Sequence, residues 1–507
     1  MKNKIKYISY IKYIFFVITL NIIVRLPSVF QELPPYSPVD ENIFVDKAFR
    51  HYQIDRYYIN RVNQIVYYLA SAPSYLYSAI TGEKVSKSKF TIFARLFCPV
   101  LMNSISSAFI FLIAIILFKS KLKSFLISML YSISPLIMGL SRMVYPDYIL
   151  ILSSSTILLL CFLKLKKDSS TFIILSSITI SIATSIKIHG LSLVAPCLIV
   201  IIYPLFAKNE SISKNKLIHI LKQFILIFLL IIIFFILINP IIWLEGLDPF
   251  KEYIEWKDSL YTKEELPFLQ TNNSYLFYLM LMFIVSYGWI GFIFVMYGIN
   301  YLYKENPLFL ILLLICPFTL IFILGGYTAA LTRNVIIGIP FIFFIMILGL
   351  DYFLKRLKNS YLKYIVIILI ILEPGYKTSL TILNDLRIDS RIKSEKWIEQ
   401  NLPQNSTVSL SRYLKDPFLE KSLPDFLVLD SWYSDMYKAN CHKSKQKSTI
   451  IFTEPIFNNL HYINAGAVFY KRKFLLYQKK MKDYMHIKTI EGYGPDIFIY
   501  ENINKNR

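Results

Sequence analysis

The chain has 507 residues, 55% of them hydrophobic and 17% charged, with a mean hydropathy of +0.50 and a formal charge of +22. Repeated apolar runs of about 20 residues exclude an ordinary soluble enzyme and read as bilayer-spanning helices. The positive excess does not point to nucleic acid, because the lysines sit in short connectors between apolar runs, as expected of a protein whose partner is the lipid bilayer.

Lys2, Lys4, Lys6 and Lys12 precede or open the first apolar run, 11–30, and no small-residue cleavage site follows, so this run reads as a retained helix. Further spans are predicted at 92–117, 122–139, 147–163, 171–187, 190–206, 220–243, 275–301, 306–325, 332–350 and 361–373, about eleven in all. The N-terminus and the connectors at 119–124, 164–168, 207–216, 303–306 and 355–363 are basic, which assigns them to the cytoplasm. The segments 31–91, 140–146, 188–189, 244–274, 326–331 and everything after 374 then face out. The expectation is an α-helical polytopic membrane protein of the bacterial plasma membrane, with its N-terminus in the cytoplasm. Residues 1–373 form the membrane module and 374–507 a soluble extracytoplasmic α/β domain. In the long outer loop 31–91, FVDKAFRHYQ and IVYYLASAPSYLYSAI are predicted to be amphipathic helices lying in the interface. The loop 244–274 is polar and acidic and reads as a lid. Beyond 374, WIEQNLPQNSTVSLS reads as helix, turn and strand, and DFLVLDS, STIIFTE and DIFIYEN as strands.

Cys98, Cys161, Cys197, Cys316 and Cys441 form no CxxC, so neither a disulfide framework nor a zinc site is indicated. Carboxylates are costly near hydrocarbon, which makes those at helix mouths candidates for function. Asp40 and Glu41 follow the Pro-rich exit from the first helix, and Asp147 follows Pro146 at the start of another. A carboxylate at 40 suits a general base and suits a helix N-cap equally; Asp147 fits the N-cap reading more closely. Arg25, Lys47, Arg50, Arg142, Lys187, His189 and Arg333 lie at the same outer level. Arg and Lys suit phosphate, and they also snorkel to headgroups. Lys187 and Arg333 stand out because they break the charge trend of the outer helix ends.

An acidic pair after the first helix, then S-R-x-x-x-P-D opening the fourth span, resembles the GT-C superfamily of membrane glycosyltransferases, nearest to its protein O-mannosyltransferase and aminoarabinose-transferase members. TSIKIHGLSLVAP, TRNVIIGIPFI, DSRIKSEKWIEQNLPQNSTV and YGPDIFIYE resemble later segments of that family, in the same order. The resemblance implies inverting transfer of a sugar from a polyprenyl-phosphate donor to a glycan, lipid or protein acceptor on the extracytoplasmic face. Asp40 would be the general base, with Glu41 and Asp147 completing the acidic site. Lys187 and Arg333, with Arg142 and His189 beside them, would bind the donor phosphate. Some members use a divalent metal and others do not; no His or carboxylate cluster here calls for one. Where many members carry His-Pro-Pro or Tyr-Pro-Pro, this chain has Ala72-Pro73-Ser74-Tyr75.

Other readings compete. O-antigen polymerases and ligases generally lack this order of acidic motifs and a terminal soluble domain. A transporter or flippase would place ionisable residues or broken helices near the bilayer midplane, where the sequence is nearly all apolar. A non-catalytic scaffold would not need Asp40, Glu41 and Asp147 intact.

Overall fold

The computed structural model describes residues 2–30, 39–53, 64–140, 143–166, 171–206, 214–246, 273–326, 332–385, 390–402, 408–410, 426–430, 484–490 and 497–502, with a few isolated positions between 248 and 255. The chain runs α1 (Lys2–Val29), α2 (Val39–Gln53), α3 (Gln64–Thr81), α4 (Lys87–Arg95), α5 (Met102–Phe118), α6 (Lys121–Ser132) and α7 (Pro135–Leu140). There follow α8 (Asp147–Lys166), α9 (Thr171–Ile186), α10 (Val194–Phe206), α11 (Lys214–Ile238) and α12 (Ile241–Glu245). The last helices are α13 (Ser274–Met280), α14 (Gly288–Glu305), α15 (Pro307–Gly325), α16 (Ile339–Arg356), α17 (Ser360–Asp385) and α18 (Ser390–Asn401). Their starts obey local chemistry. Ser86, Ser120, Asn273 and Asn306 each accept from a backbone N–H three residues on, and Pro307 occupies the first turn of α15.

Among the described residues, eight helices are long and apolar enough to cross a membrane, nine if Ser274–Val285 and Gly288–Glu305 form one bent span, and α9 is a shorter apolar helix. Several predicted spans take a different form. The run 87–118 is one long helix, with a π-helical stretch at Leu96–Leu101 around Pro99, whose missing N–H cannot serve the regular ladder. The predicted span 122–139 is broken between α6 and α7, and 275–301 bends by 98° between Val285 and Gly288. The boundary drawn at 373 falls inside α17, which continues through Pro374 to Asp385. The two interfacial helices expected in 31–91 correspond to α2 and α3, with Pro73 inside α3. Of the loop 244–274, most lies outside the described residues.

The two breaks are bonded to each other and to α17. Ser134 Oγ donates to the Ser286 carbonyl at 2.9 Å, and Thr378 Oγ1 donates to the Ile133 carbonyl at 2.8 Å. Gly288 has φ +75°, a conformation open to glycine, and the next amide, Trp289 N–H, donates to the Glu373 carboxylate at 3.1 Å. Lys377 pairs with the other Glu373 oxygen at 2.8 Å. Backbone groups freed in an apolar layer must find such partners.

The interior is richer in hydroxyls than the sequence reading of an apolar midplane. Ser177 and Ser181 on α9 donate to the Ile227 and Ile231 carbonyls of α11, and Asn239 donates to Ser185 Oγ at 2.7 Å. Ser106 and Ser155 join α5 to α8 at 2.6 Å, and Ser128 donates to the Ser107 carbonyl. Arg25, buried within α1, donates to Asn21 Oδ1 at 2.8 Å and to the Ser132 carbonyl at 3.1 Å, so it braces helices. Small residues allow such close approach.

After α18 come four strands, β1 (Val408–Leu410), β2 (Phe426–Asp430), β3 (Tyr484–Ile490) and β4 (Ile497–Asn502), in the order β1-β2-β4-β3. β1 and β2 are parallel, the other pairs antiparallel, and α18 packs against β3 and β4. Three of these were expected as strands; β3 was not, and STIIFTE lies outside the described residues.

Gly298 on α14 and Gly349 on α16 meet where their helices cross; a Cβ on Gly349 would strike the Phe294 carbonyl and the Gly298 backbone. Neither obstacle is a side chain that can turn away. Gly349→Val should therefore destabilise the protein by on the order of 1–3 kcal/mol, read as a lowered thermal midpoint in detergent.

Candidate active site

The sequence sorts its charges to opposite ends of the helices. α8 opens with Asp147 and closes with Lys164 and Lys166, about 30 Å away along the axis. Lys166 donates to the Ile116 carbonyl at the end of α5, and Lys123 and Lys355 both pair with Asp351 near the end of α16. That is the basic end. At the opposite end, three chain segments converge.

The first is Met143–Pro146 running into Asp147, the first residue of α8. The second is Lys187, an extended residue (φ −149°, ψ 135°) between α9 and a 3-10 turn, Ile188–Leu193. That turn folds back tightly: Gly190 lies so close to the Ala183 carbonyl that a Cβ would overlap it. The third is a 3-10 segment, Thr332–Gly338, leading into α16, tied to α8 by Ser154 Oγ donating to the Ile337 carbonyl at 2.5 Å.

Lys187 Nζ donates to Asp147 Oδ1 at 2.6 Å and to Asn334 Oδ1 at 3.3 Å. Asp147 is 0% exposed and Lys187 8%. Asp147 Oδ2 has no hydrogen-bond partner among the described residues. The first-turn carboxylate thus turns to Lys187 rather than capping its own helix with a hydrogen bond. Arg333, half-buried, lies over the Tyr145 ring with its guanidinium carbon 5.2 Å from the centroid. Stacking of this kind holds a guanidinium flat against the ring. His189 is buried one residue beyond Ile188.

The structure therefore brings together three of the residues singled out in the sequence, Asp147, Lys187 and Arg333, and buries His189 two residues along the chain from Lys187. It gives Asp147 and Lys187 one joint role as a buried pair, where the sequence suggested two separate ones. Asp40 and Glu41 lie in the first turn of α2, and their side chains lie outside the described part of the structure, as does Arg142. Sequence reasoning missed Tyr145 and Asn334. Both flank a chosen residue, Tyr145 two before Asp147 and Asn334 next to Arg333, and that adjacency was the available signal. No group of three or more His, Cys, Asp or Glu arranged to hold a metal is found among the described residues.

Removing one member of a buried pair strands the other charge, which costs about 3–5 kcal/mol, whereas replacing both with apolar groups of similar volume is often neutral. Lys187→Met alone should lower the thermal midpoint sharply, and Asp147→Leu with Lys187→Met should restore much of it. Equal midpoints for the single and double variants would contradict the pairing.

Comparison with known proteins gives two findings. The sequence model of the family described as dolichyl-phosphate-mannose-protein mannosyltransferase matches residues 10–245, just under half of the chain. The fold is similar to that of ArnT from Cupriavidus metallidurans in the apo state: TM-score 0.52 and 9% identity, over 97% of this chain and 98% of that one. A second structure of that protein, bound to undecaprenyl phosphate, aligns with TM-score 0.49 and 11% identity over 87% and 96% of the two chains. No curated protein sequence matches. The chain is thus similar to that mannosyltransferase family over residues 10–245 and shares its fold with ArnT over nearly its whole length.

Proposed function

We propose that this protein transfers a sugar from a polyprenyl-phosphate donor to a hydroxyl of a glycan, lipid or protein on the outer face of a bacterial plasma membrane. The observation that carries this reading is the cluster at one end of the bundle, in which the Arg333 guanidinium lies on the Tyr145 ring beside the buried Asp147–Lys187 pair. A membrane-embedded cation of this kind suits an anion delivered by a lipid. The name of the matching family, which contains a polyprenyl-phosphate sugar, supports the same donor class.

The chemistry follows from charge. The donor is a phosphodiester with one negative charge. When the bond from sugar C1 to the phosphate oxygen breaks, the lipid phosphate keeps the electron pair and takes up a second charge. Arg333 and Lys187 then interact more strongly with the departing phosphate than with the bound donor, and that difference is what accelerates the step. Asp40 takes the proton of the acceptor hydroxyl, whose oxygen bonds to C1 from the face opposite the phosphate, so the anomeric configuration inverts. Glu41, next to Asp40, shapes the acceptor side, and His189 and Arg142 complete the phosphate side. A nucleotide sugar has no part in this scheme.

The positive-inside rule supports an orientation with the basic end, including Lys123, Lys166 and Lys355, in the cytoplasm, and the Asp147 end outside. Counting α9 and the broken α6–α7 pair as spans supports eleven crossings, with the N-terminus inside. The α18 helix and its sheet then belong to an extracytoplasmic domain within 374–507, on the same face as the site.

Transfer of label from radiolabelled polyprenyl-phosphate sugars into a membrane extract tests the reading directly. Asp40→Asn should abolish transfer while the protein still binds polyprenyl phosphate; transfer near the wild-type rate would remove Asp40 as the base. Arg333→Ala should lower kcat/KM for the donor by roughly 100-fold, in keeping with loss of one preorganised group at a developing charge, with the acceptor KM little changed.

A further inference from the structure

The basic end of the bundle holds a charge arrangement that the transfer reaction does not use. Asp351, near the end of α16, accepts Lys123 of α6 on Oδ1 and pairs through Oδ2 with Lys355 of its own helix at 2.9 Å. Two ammonium groups thus stand against one carboxylate, which leaves one positive charge over. The carboxylate is the sheltered partner: its side chain is 14% exposed, against 38% for Lys123 and 74% for Lys355. The surplus charge therefore faces outward. Each ammonium has three N–H donors and uses one on Asp351, so donors remain for a second acceptor. Lys123 also lies in the first turn of α6, which carries no acidic residue, so the positive end of that helix dipole adds to the charge.

The same corner offers apolar cover. Leu122 and Leu126 are exposed on one face of α6, the first beside Lys123 and the second one turn deeper, and the Phe118 ring lies against the Lys123 ammonium, 4.2 Å from it. A small inorganic anion would use the charge alone. A ligand that carries both a phosphate and acyl chains uses the charge and the leucines together. We infer that the Lys123–Asp351–Lys355 trio is the headgroup site of an acidic phospholipid, whose phosphodiester meets the surplus charge while its chains lie along Leu122 and Leu126. A zwitterionic lipid brings an ammonium of its own, which the lysines repel, so the site selects for net negative charge. It lies at the end of the bundle opposite Asp147 and is separate from the donor site proposed above.

The test uses the full-length protein in a non-ionic detergent, with dioleoylphosphatidylglycerol as the acidic lipid and dioleoylphosphatidylcholine as the zwitterionic control. Affinity is read from the rise of the thermal midpoint with lipid concentration. The wild type should prefer phosphatidylglycerol. Lys355→Gln leaves a neutral Lys123–Asp351 pair and should lose roughly fivefold in affinity for phosphatidylglycerol, with its lipid-free midpoint and its phosphatidylcholine binding unchanged. Asp351→Asn removes the one negative charge and should gain affinity by a similar factor, even as its lipid-free midpoint falls. A trio that only ties α6 to α16 would not give the two variants opposite signs. Lys214, exposed at the basic start of α11, is the control, and Lys214→Gln should bind as the wild type does. A loss in Lys214→Gln equal to that in Lys355→Gln would mean a diffuse basic belt and would overturn the inference. So would equal binding of the two lipids by the wild type, or a midpoint raised as far by inorganic phosphate as by phosphatidylglycerol.

Discussion

A carboxylate cut off from water beside hydrocarbon is tolerated only if a cation meets it at close range, and the Asp147–Lys187 pair meets that condition at 2.6 Å. Much of the bundle's upper end follows from keeping these two groups together. α8 must start where it does so that Asp147 opens it. α9 must stop one residue short of Lys187, and the chain must fold back through the 3-10 turn at Gly190, where nothing larger fits. The segment before α16 must approach closely enough for Asn334 to share the ammonium, and Ser154 holds it there. Three elements far apart in sequence are thereby fixed around one charge, and Arg333 inherits a defined place from them.

The same need to satisfy polar groups internally explains the broken helices. Where α6 gives way to α7, and the π-helical stretch Leu281–Val285 that follows α13 to α14, the freed carbonyls are met by Ser134 and Thr378, and the Trp289 amide of α14 meets Glu373. Counting α14 from its Glu305 end, the break lies about 27 Å along the helix. It therefore falls near the site end of the bundle and not at its middle, the position a transport pathway would favour.

Much of this was legible in the sequence because hydrocarbon imposes long apolar runs and sorts the charges between them. The mouths of the helices, Asp147 and Lys187, the two helices of the first outer loop and most of the strands could be read in that way. Partner choice could not. Asp147 and Lys187 are 40 residues apart, and no periodicity links them; Asn334 sits between Arg333 and an apolar run and looks like one polar residue in a helix entry. The breaks were hidden because their signals are a serine before Pro135 and a serine two before Gly288, both inside runs that are apolar on average. β3, with the sequence YMHIKTI, mixes Lys and His into its alternation and so lacks a clear pattern.

The serines of α9 have a consequence for how the protein is made. Ser181 donates within its own helix, to the Ser177 carbonyl at 2.8 Å, as well as across to Ile231 at 2.9 Å. The Ser181 hydroxyl is therefore satisfied before any neighbour arrives, as is that of Ser185, which donates to the Ser181 carbonyl. A helix leaving the translocon can rest alone in lipid at little cost, wait for the next, and exchange one bond for another when the two meet. Assembly then becomes a lateral sorting of finished helices in the plane of the membrane, in the order in which the ribosome delivers them.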